Sequence, residues 1–427
     1  MKFTSLILCA AAVLVALPMA SPAYGDSRKD KAEQREKGKK KKPARPAKFD
    51  PQATPYENSV PVFQAGVDNP YVSIRIPIVI RAGKMLVAMA EGRYKDTDQG
   101  ENDLIVSTSR DGRKWTKPVV ACASKGATFN NPCMIYDEQA KQIVLMFQRY
   151  PAGVKERSND IPTGWDDDRC IRNFVCFSKN GKKWSEPKDV TQYTKHKDAT
   201  ITCSGPNPGV QITRGEHKGR LVVTFNEATG FGNWVATSAY SDDHGKTWKV
   251  GQKSEAGKGI NEISSVESED GGVLVVSRAW GGGNRRVTTS ADAGETWSSI
   301  ISHPDLPSPN CQNGLTRYSH ADDKATGNRS RILFSTPSQG NRSNGIIKMS
   351  YDGGKTWPVE KAVGEGPFAY SALCPIKPGL AGIIYEVNGH PITTINFAPF
   401  TIDWLTDGED DGKSGGAEDA SAAGEEE

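Results

Sequence analysis

Arginine, carboxylate and tyrosine side chains sit in this 427-residue chain inside short segments that could carry acid–base and covalent chemistry. Arg75 lies in SIRIP. Arg93 closes MAEGR and is followed by the acidic stretch YKDTDQGENDLIV, which contains Asp96, Asp98 and Asp103. Glu262, Glu267 and Arg278 fall in NEISSVESEDGGVLVVSR, Arg342 in NRSNGIIKMSYDGGKTW, and Tyr370 in GPFAYSALCPI. A guanidinium is planar and always charged, so a fixed cluster of arginines can grip a carboxylate through parallel hydrogen bonds. A carboxyl can give or take a proton at a reacting oxygen, and a hydroxyl beside a base can act as a nucleophile. Singly these signals are ordinary, because most arginines are solvated and most strand tyrosines are packing residues. They gain meaning only if the fold brings them together.

The elements that must do so are strands. Apolar runs such as VLMFQRY at 144–150 and RLVVTFNEA at 220–228 are strand-length and separated by turn residues, and no segment of the folded region shows a sustained helical stripe. One turn recurs: SRDGRKW from Ser109, SKNGKKW from Ser178, SDDHGKTW from Ser241, SADAGETW from Ser290 and SYDGGKTW from Ser350. Five copies at spacings of about 50 to 70 residues predict a repeat architecture with one four-stranded sheet per repeat. In each copy the Asp or Asn side chain accepts backbone N–H groups, Gly supplies a positive φ, and Trp packs between neighbouring sheets. Asp243 and Asp352 are therefore read as turn formers rather than catalytic acids.

Both ends read differently. Residues 1–25 combine Lys2, an apolar run from Leu6 to Leu17 and small residues at Ala20, Ala23 and Gly25, the pattern of a cleaved export signal, which places the chain as secreted or periplasmic. The run is too short for a membrane span. Residues 26–48 are a basic linker and 407–427 an acidic tail, neither able to bury enough surface to fold, which leaves 49–406 as one domain. The net charge of +3 is the near-cancellation of these two tails, so it does not imply nucleic-acid binding. Beyond Cys9 there are seven cysteines, an odd number, of which Cys170 and Cys176 could bridge. The six histidines are scattered, and GWDDDR at 164–169 lacks the spaced ligands of a calcium loop, so no metal or other cofactor is expected. NRS at Asn328 and Asn341 is a glycosylation acceptor only in a eukaryotic host.

The recurring turn resembles the Asp-box repeat of the sialidase (neuraminidase) family, whose members are six-bladed β-propellers. This implies an all-β propeller of four-stranded antiparallel blades, close to 60 residues each. Asp boxes also occur in propellers without glycoside chemistry, so the activity rests on the site segments, which follow the family's order from residue 73 to 386. The resemblance makes Arg75, Arg278 and Arg342 the arginines that hold the sialic acid carboxylate, and Arg93 a further substrate-pocket arginine. It makes Asp98 the acid/base, with Asp96 and Asp103 as competitors. Glu262 becomes the partner of the nucleophile, with Glu267 as its competitor, and Tyr370 the nucleophile itself. Tyr385 reads as strand packing. In TFNNPCMIYD, Asn131 stands where some bacterial sialidases carry an aspartate beside the N-acyl group; it either serves that pocket or caps the turn before Pro132.

The implied activity is that of a retaining exo-α-sialidase acting on sialylated glycoproteins, glycolipids or oligosaccharides. A carboxylate nucleophile would be repelled by the substrate's own carboxylate, which is why a neutral phenol suits this reaction. Two other readings remain open. One is a non-catalytic glycan-binding propeller, which would have no need of Tyr370 paired with Glu262. The other is a trans-sialidase using the same residues.

Overall fold

The computed structural model describes residues 48–158, 160–338, 342–387 and 389–413. The expected signal, nearly all of the basic linker, the glycosylation motif at Asn341 and the last fourteen residues of the acidic tail lie outside them. The described chain is a six-bladed β-propeller built from four-stranded antiparallel sheets. Strand β1 (Val60–Gln64) is set aside first. Blade 1 then takes β2 (Ser73–Ala82), β3 (Met85–Arg93), β4 (Asn102–Ser109) and β5 (Val119–Cys122), and blade 2 takes β6 (Thr128–Asp137), β7 (Gln142–Tyr150), β8 (Arg172–Ser178) and β9 (Lys188–Asp189). Blade 3 holds β10 (Ile201–Ser204), β11 (Val210–Gln211), β12 (Leu221–Ala228), β13 (Trp234–Ser241) and β14 (Lys249–Val250), with β11 an extra pairing on β12. Blade 4 holds β15 (Ile260–Glu267), β16 (Val273–Ala279), β17 (Gly283–Ser290) and β18 (Ile301–Ser308). Blade 5 holds β19 (Gly314–Ser319), β20 (Arg331–Pro337), β21 (Gly345–Ser350) and β22 (Val359–Ala362). Blade 6 runs β23 (Ser371–Lys377), β24 (Leu380–Glu386) and β25 (Thr394–Thr401), and β1 pairs with β25 as its outer strand.

The core lies between blades rather than within them. Ile78, Met89 and Val106 of blade 1 meet Met134, Leu145 and Phe147 of blade 2, and the seam between blades 6 and 1 joins Ile384 and Phe397 to Ile74 and Val79. Inner strands are thus covered on both faces, so β12 is buried at all eight positions and its sequence LVVTFNEA does not alternate. Burying a Leu, Ile or Phe contributes about 2 kcal/mol, and each blade obtains that only from its neighbours.

The recurring turn joins the third and fourth strands of blades 1 to 5. In the third copy Ser241 Oγ accepts the Gly245 N–H at 2.8 Å and Asp243 Oδ1 accepts the Thr247 N–H at 2.9 Å. Asp352 does the same for Lys355 and Thr356. Gly245 has φ +82° and a Cβ there would meet Phe177 and Val144 of the preceding blade at 3.2 and 3.3 Å, so this glycine serves both the backbone and the seam. Blade 6 has no sixth copy for a topological reason: its fourth strand is β1, so no turn connects it to β25.

Two sequence expectations are corrected. The folded unit extends past residue 406, because Asp410 is buried and accepts both Arg331 Nε and Nη2 at 2.7 Å, with the Tyr351 hydroxyl at 3.0 Å. An acidic segment folds here because one of its charges meets a buried cation. Cys170 and Cys176 do not bridge. All seven described cysteines are free and buried, Cys170 directs its thiol at the Thr163 carbonyl, and Cys176 lies 3.5 Å from Cys122 across the seam.

Asp410→Ala leaves Arg331 buried without its counter-charge and is expected to cost about 3 kcal/mol in urea unfolding. Burial raises the Asp410 carboxyl pKa, but Arg331 and the Gly412 N–H outweigh this and lower it. The contribution is therefore present above the unfolded-state pKa and lost as pH falls through the folded value. The stability gap between wild type and variant should close in strong acid; a gap that is constant with pH would remove the assignment.

Candidate active site

At one end of the ring, the ends of the inner strands surround a cavity of about 490 Å³. Every residue singled out as a site candidate on the family pattern lines it: Arg75, Arg93, Asp98, Asn131, Glu262, Arg278, Arg342 and Tyr370. β2 carries Arg75, the last residue of β3 is Arg93, and Asp98 sits in the loop that follows. Asn131 lies in β6, Glu262 in β15 and Arg278 in β16, while Tyr370 immediately precedes β23. The competitors fall elsewhere. Asp103 is a structural acceptor for the Tyr71 and Tyr94 hydroxyls at 2.9 Å and the Ser124 N–H. Glu267, at the far end of β15, binds Thr213 and the Arg214 N–H. Asp96 is exposed and outside the cavity lining, and Tyr385 is fully buried against Phe368.

On the cavity floor the Tyr370 hydroxyl donates to Glu262 Oε1, and Arg278 Nη1 donates to Glu262 Oε2 at 2.8 Å and to the Tyr370 oxygen at 3.3 Å. The guanidinium carbons of Arg75 and Arg342 stand 5.1 and 5.2 Å from the centre of the Tyr370 ring. Burial and the Glu262 charge push the phenol well above its ordinary pKa, against the pull of Arg278 and Arg342. The phenol is therefore held in its neutral form. Asp98, 72% exposed at the rim, accepts Arg93 Nη1 at 2.9 Å and lies 4.0 Å from Arg75. Its surroundings raise its pKa by desolvation, but Arg93, then Arg75 and Arg342, outweigh this and hold it below the usual carboxylate value.

Asn131 occupies a β-bulge with φ +51° rather than a turn. Its N–H donates to Glu91 Oε1 at 3.0 Å and its carbonyl accepts the Ser204 hydroxyl at 2.6 Å, so the backbone is satisfied by neighbouring groups. The side-chain amide lines the cavity.

Several site residues were not anticipated. Glu386, fully buried, accepts Arg75 Nε at 2.6 Å, the Ile76 N–H at 3.0 Å and the Tyr370 N–H at 3.2 Å. Glu91, equally buried, accepts Arg93 Nη2 at 2.7 Å. A carboxylate in an otherwise apolar strand needs such a partner, and that was the signal available in MAEGR and IIYEVNG. Glu156, on the blade 2 side of the cavity, takes a thiol contact from Cys203 at 3.6 Å. Burial, with the charges of Glu262 and Asp98, pushes its carboxyl up to about 7 against that contact. Trp280, 43% exposed, meets Phe231 edge-on at 5.3 Å along the rim.

Comparison with known proteins places this geometry. Residues 84–383 match the BNR repeat-like domain family. A sialidase of Micromonospora viridifaciens is 30% identical over 347 residues, which cover 78% of this chain and 52% of that protein, so the chain spans about half the length of that relative. The solved structure of the Hadza microbial sialidase Hz136 superposes with a TM-score of 0.73 at 26% identity, covering 81% of this chain and 69% of the other. An intramolecular trans-sialidase from Ruminococcus gnavus, 19% identical with a TM-score of 0.70, shares the fold over 81% of this chain and 98% of its own.

The Glu156 carboxyl generates a test. Between its ordinary value of 4.5 and about 7 the native state keeps a proton that the unfolded chain has lost, so stability falls as pH rises through that window. Glu156→Gln cannot titrate, and its melting temperature should gain on wild type from pH 4.5 to 7 and track it above. A flat difference would place the Glu156 pKa in the ordinary range.

Proposed function

The chain belongs to the sialidase family of BNR repeat-like propellers, and from that premise we propose that it is a retaining exo-α-sialidase. It would remove terminal α-linked sialic acids from glycoproteins, glycolipids or oligosaccharides. The observation that carries this reading is the Tyr370 hydroxyl donating to Glu262 beneath Arg75, Arg278 and Arg342. On the strength of the leader-like residues 1–25, we further propose that it acts outside the cytoplasm, secreted or periplasmic.

In this mechanism the arginines hold the carboxylate on the anomeric carbon and fix the sugar over Tyr370. Glu262 withdraws the phenolic proton as the oxygen attacks, and Arg278, already 3.3 Å from that oxygen, steadies the developing negative charge. Asp98 gives its proton to the leaving glycosidic oxygen. The arginines by themselves favour its ionised form. A bound carboxylate offsets their charge, so substrate binding itself raises the Asp98 pKa toward that of a working acid. Water then cleaves the tyrosyl–sugar bond with Asp98 as base, and the configuration is retained through two displacements. Arg93 and Asn131 face the ring substituents remote from the carboxylate; an amide both donates and accepts, so Asn131 suits an N-acyl group or a hydroxyl there.

A second reading is supported by the rim. Trp280 and Phe231 form an aromatic ledge on which an acceptor sugar can stack, and transfer to that sugar would replace hydrolysis. Mass analysis of products from a sialoside with and without lactose separates the two.

Tyr370→Phe deletes only the nucleophilic oxygen, so turnover of a fluorogenic α-sialoside should fall by about three orders of magnitude or more with the melting temperature retained. Wild-type-like turnover would remove Tyr370 from the mechanism, and a wild type that binds sialosides without cleaving them would favour a glycan-binding propeller.

Asp98→Asn should slow alkyl sialosides by about a hundredfold or more but aryl sialosides far less, since a phenolate leaves with little protonation. Equal losses on both would show that Asp98 is not the acid.

A further inference from the structure

Arg285 is the largest fully buried side chain of the described structure, 0% exposed, and no carboxylate lies within ion-pair distance of it among the described residues. It stands in β17, on the same face as buried Val287, beside the point where the pairing with β18 slips between Asn284 and Arg286. Its guanidinium is satisfied by neutral acceptors only. Nε donates to the Pro307 carbonyl at 3.1 Å, Nη1 to the Cys311 carbonyl at 2.8 Å and Asn313 Oδ1 at 3.0 Å, and Nη2 to Thr336 Oγ1 at 2.8 Å. Phe334 covers one face at 5.5 Å. Burying an arginine without an anion is costly, and three of these four bonds are spent on one short segment, residues 307–313.

That segment reaches the cavity lining at Asn310. Asn310, at φ +54°, turns its side chain to the pocket so that Oδ1 accepts Arg278 Nε at 3.1 Å and Nη2 at 2.5 Å, while its carbonyl accepts Arg342 Nη2 at 3.4 Å. Cys311 packs with Ile76 and Tyr370, and Gln312 both accepts the Ser371 N–H at 3.0 Å and donates to the Ser371 carbonyl at 2.9 Å. One strap thus orients two arginines and supports the tyrosine strand.

We propose that Arg285 is a positioning residue that pins this strap, so that Asn310 holds Arg278 and Arg342 in the orientation that grips a substrate carboxylate. The inference rests on the sialidase reading of the pocket. Arg278 needs a guide because a guanidinium shared between Glu262 and a carboxylate has several rotations open to it. Asn310 takes Nε and Nη2, leaving Nη1 for Glu262 and the tyrosine, and the backbone that places Asn310 is the backbone Arg285 holds.

The test compares Arg285→Lys, Arg285→Met, Asn310→Ala and the double variant Arg285→Lys/Asn310→Ala. Each is titrated with a planar unsaturated sialic acid analogue and with its carboxamide, and melting temperatures are recorded. Asn310 is exposed, so its variant folds whatever the core tolerates. Asn310→Ala and Arg285→Lys are each expected to weaken the carboxylate ligand about tenfold or more and the carboxamide much less. The double variant should lose little beyond Asn310→Ala alone, because the two act in series. Equal weakening of both ligands, or losses that multiply in the double variant, would overturn the proposal and leave Arg285 a core residue only. If Arg285→Met does not fold, Arg285→Lys and Asn310→Ala carry the comparison. Wild type that binds and cleaves sialosides while these variants fail the ligand comparison overturns this inference alone; wild type that does neither overturns the sialidase reading first.

Discussion

The site depends on one buried carboxylate that belongs to none of the chemistry. Glu386 joins the first blade to the last, holding Arg75 and the Ile76 amide on one side and the Tyr370 amide on the other. Ile76 is β-branched and sits at φ +59°, a conformation that such a residue adopts only when its surroundings impose it. The Glu386 bond to its N–H is part of that imposition. The same device recurs one blade on, where Glu91 holds Arg93 and the amide of Asn131, itself at φ +51°. It recurs again in weaker form where Gln148 accepts the Ser204 N–H at 2.8 Å. A polar side chain near the end of the second strand of each of these blades fixes the inner strand of the next, and the pocket is the place where these ties converge.

Charge is distributed unevenly over the arginines as a result. Arg75 is offset by Glu386 and Arg278 by Glu262, whereas Arg342 has only the Asn310 carbonyl among the polar contacts of the described residues. A carboxylate in the pocket would thus face two arginines already paired with carboxylates and one, Arg342, that makes no ion pair among the described residues.

Much of this was legible in the sequence. The repeated turn has a local mechanism, so Ser241, Asp243, Gly245 and Trp248 announce it without any tertiary information, and five such turns fix the blade type. The site segments had no such local rule; they were placed by their resemblance to the sialidase pattern, and the fold brings those residues to one cavity. What stayed hidden depends on pairings between distant segments. Glu386 looks like the polar end of an apolar strand until Arg75 arrives from the other end of the chain. Arg285 looks like one more surface arginine because its acceptors are two backbone carbonyls and two remote neutral side chains, none of which marks it in the sequence. Asp410 was assigned to a solvated tail since its partner Arg331 is remote in sequence, and the missing sixth turn follows from β1 closing the ring, a topological fact that periodicity alone does not contain.

That closure also has a consequence for biosynthesis. The outer strand of blade 6 is the first strand of the described chain to leave the ribosome, and its partner β25 is the last. Until β25 emerges, β1 has no edge to join, the seam between blades 6 and 1 stays open, and apolar residues such as Phe63 and Ile74 lack their cover. Blades 1 to 5 do not need β25 to pair their own strands, but the ring that brings the arginine of the first blade to the tyrosine of the last closes only through the β1–β25 pairing. A chain that lacks β25 therefore exposes a pairing-competent strand at β1.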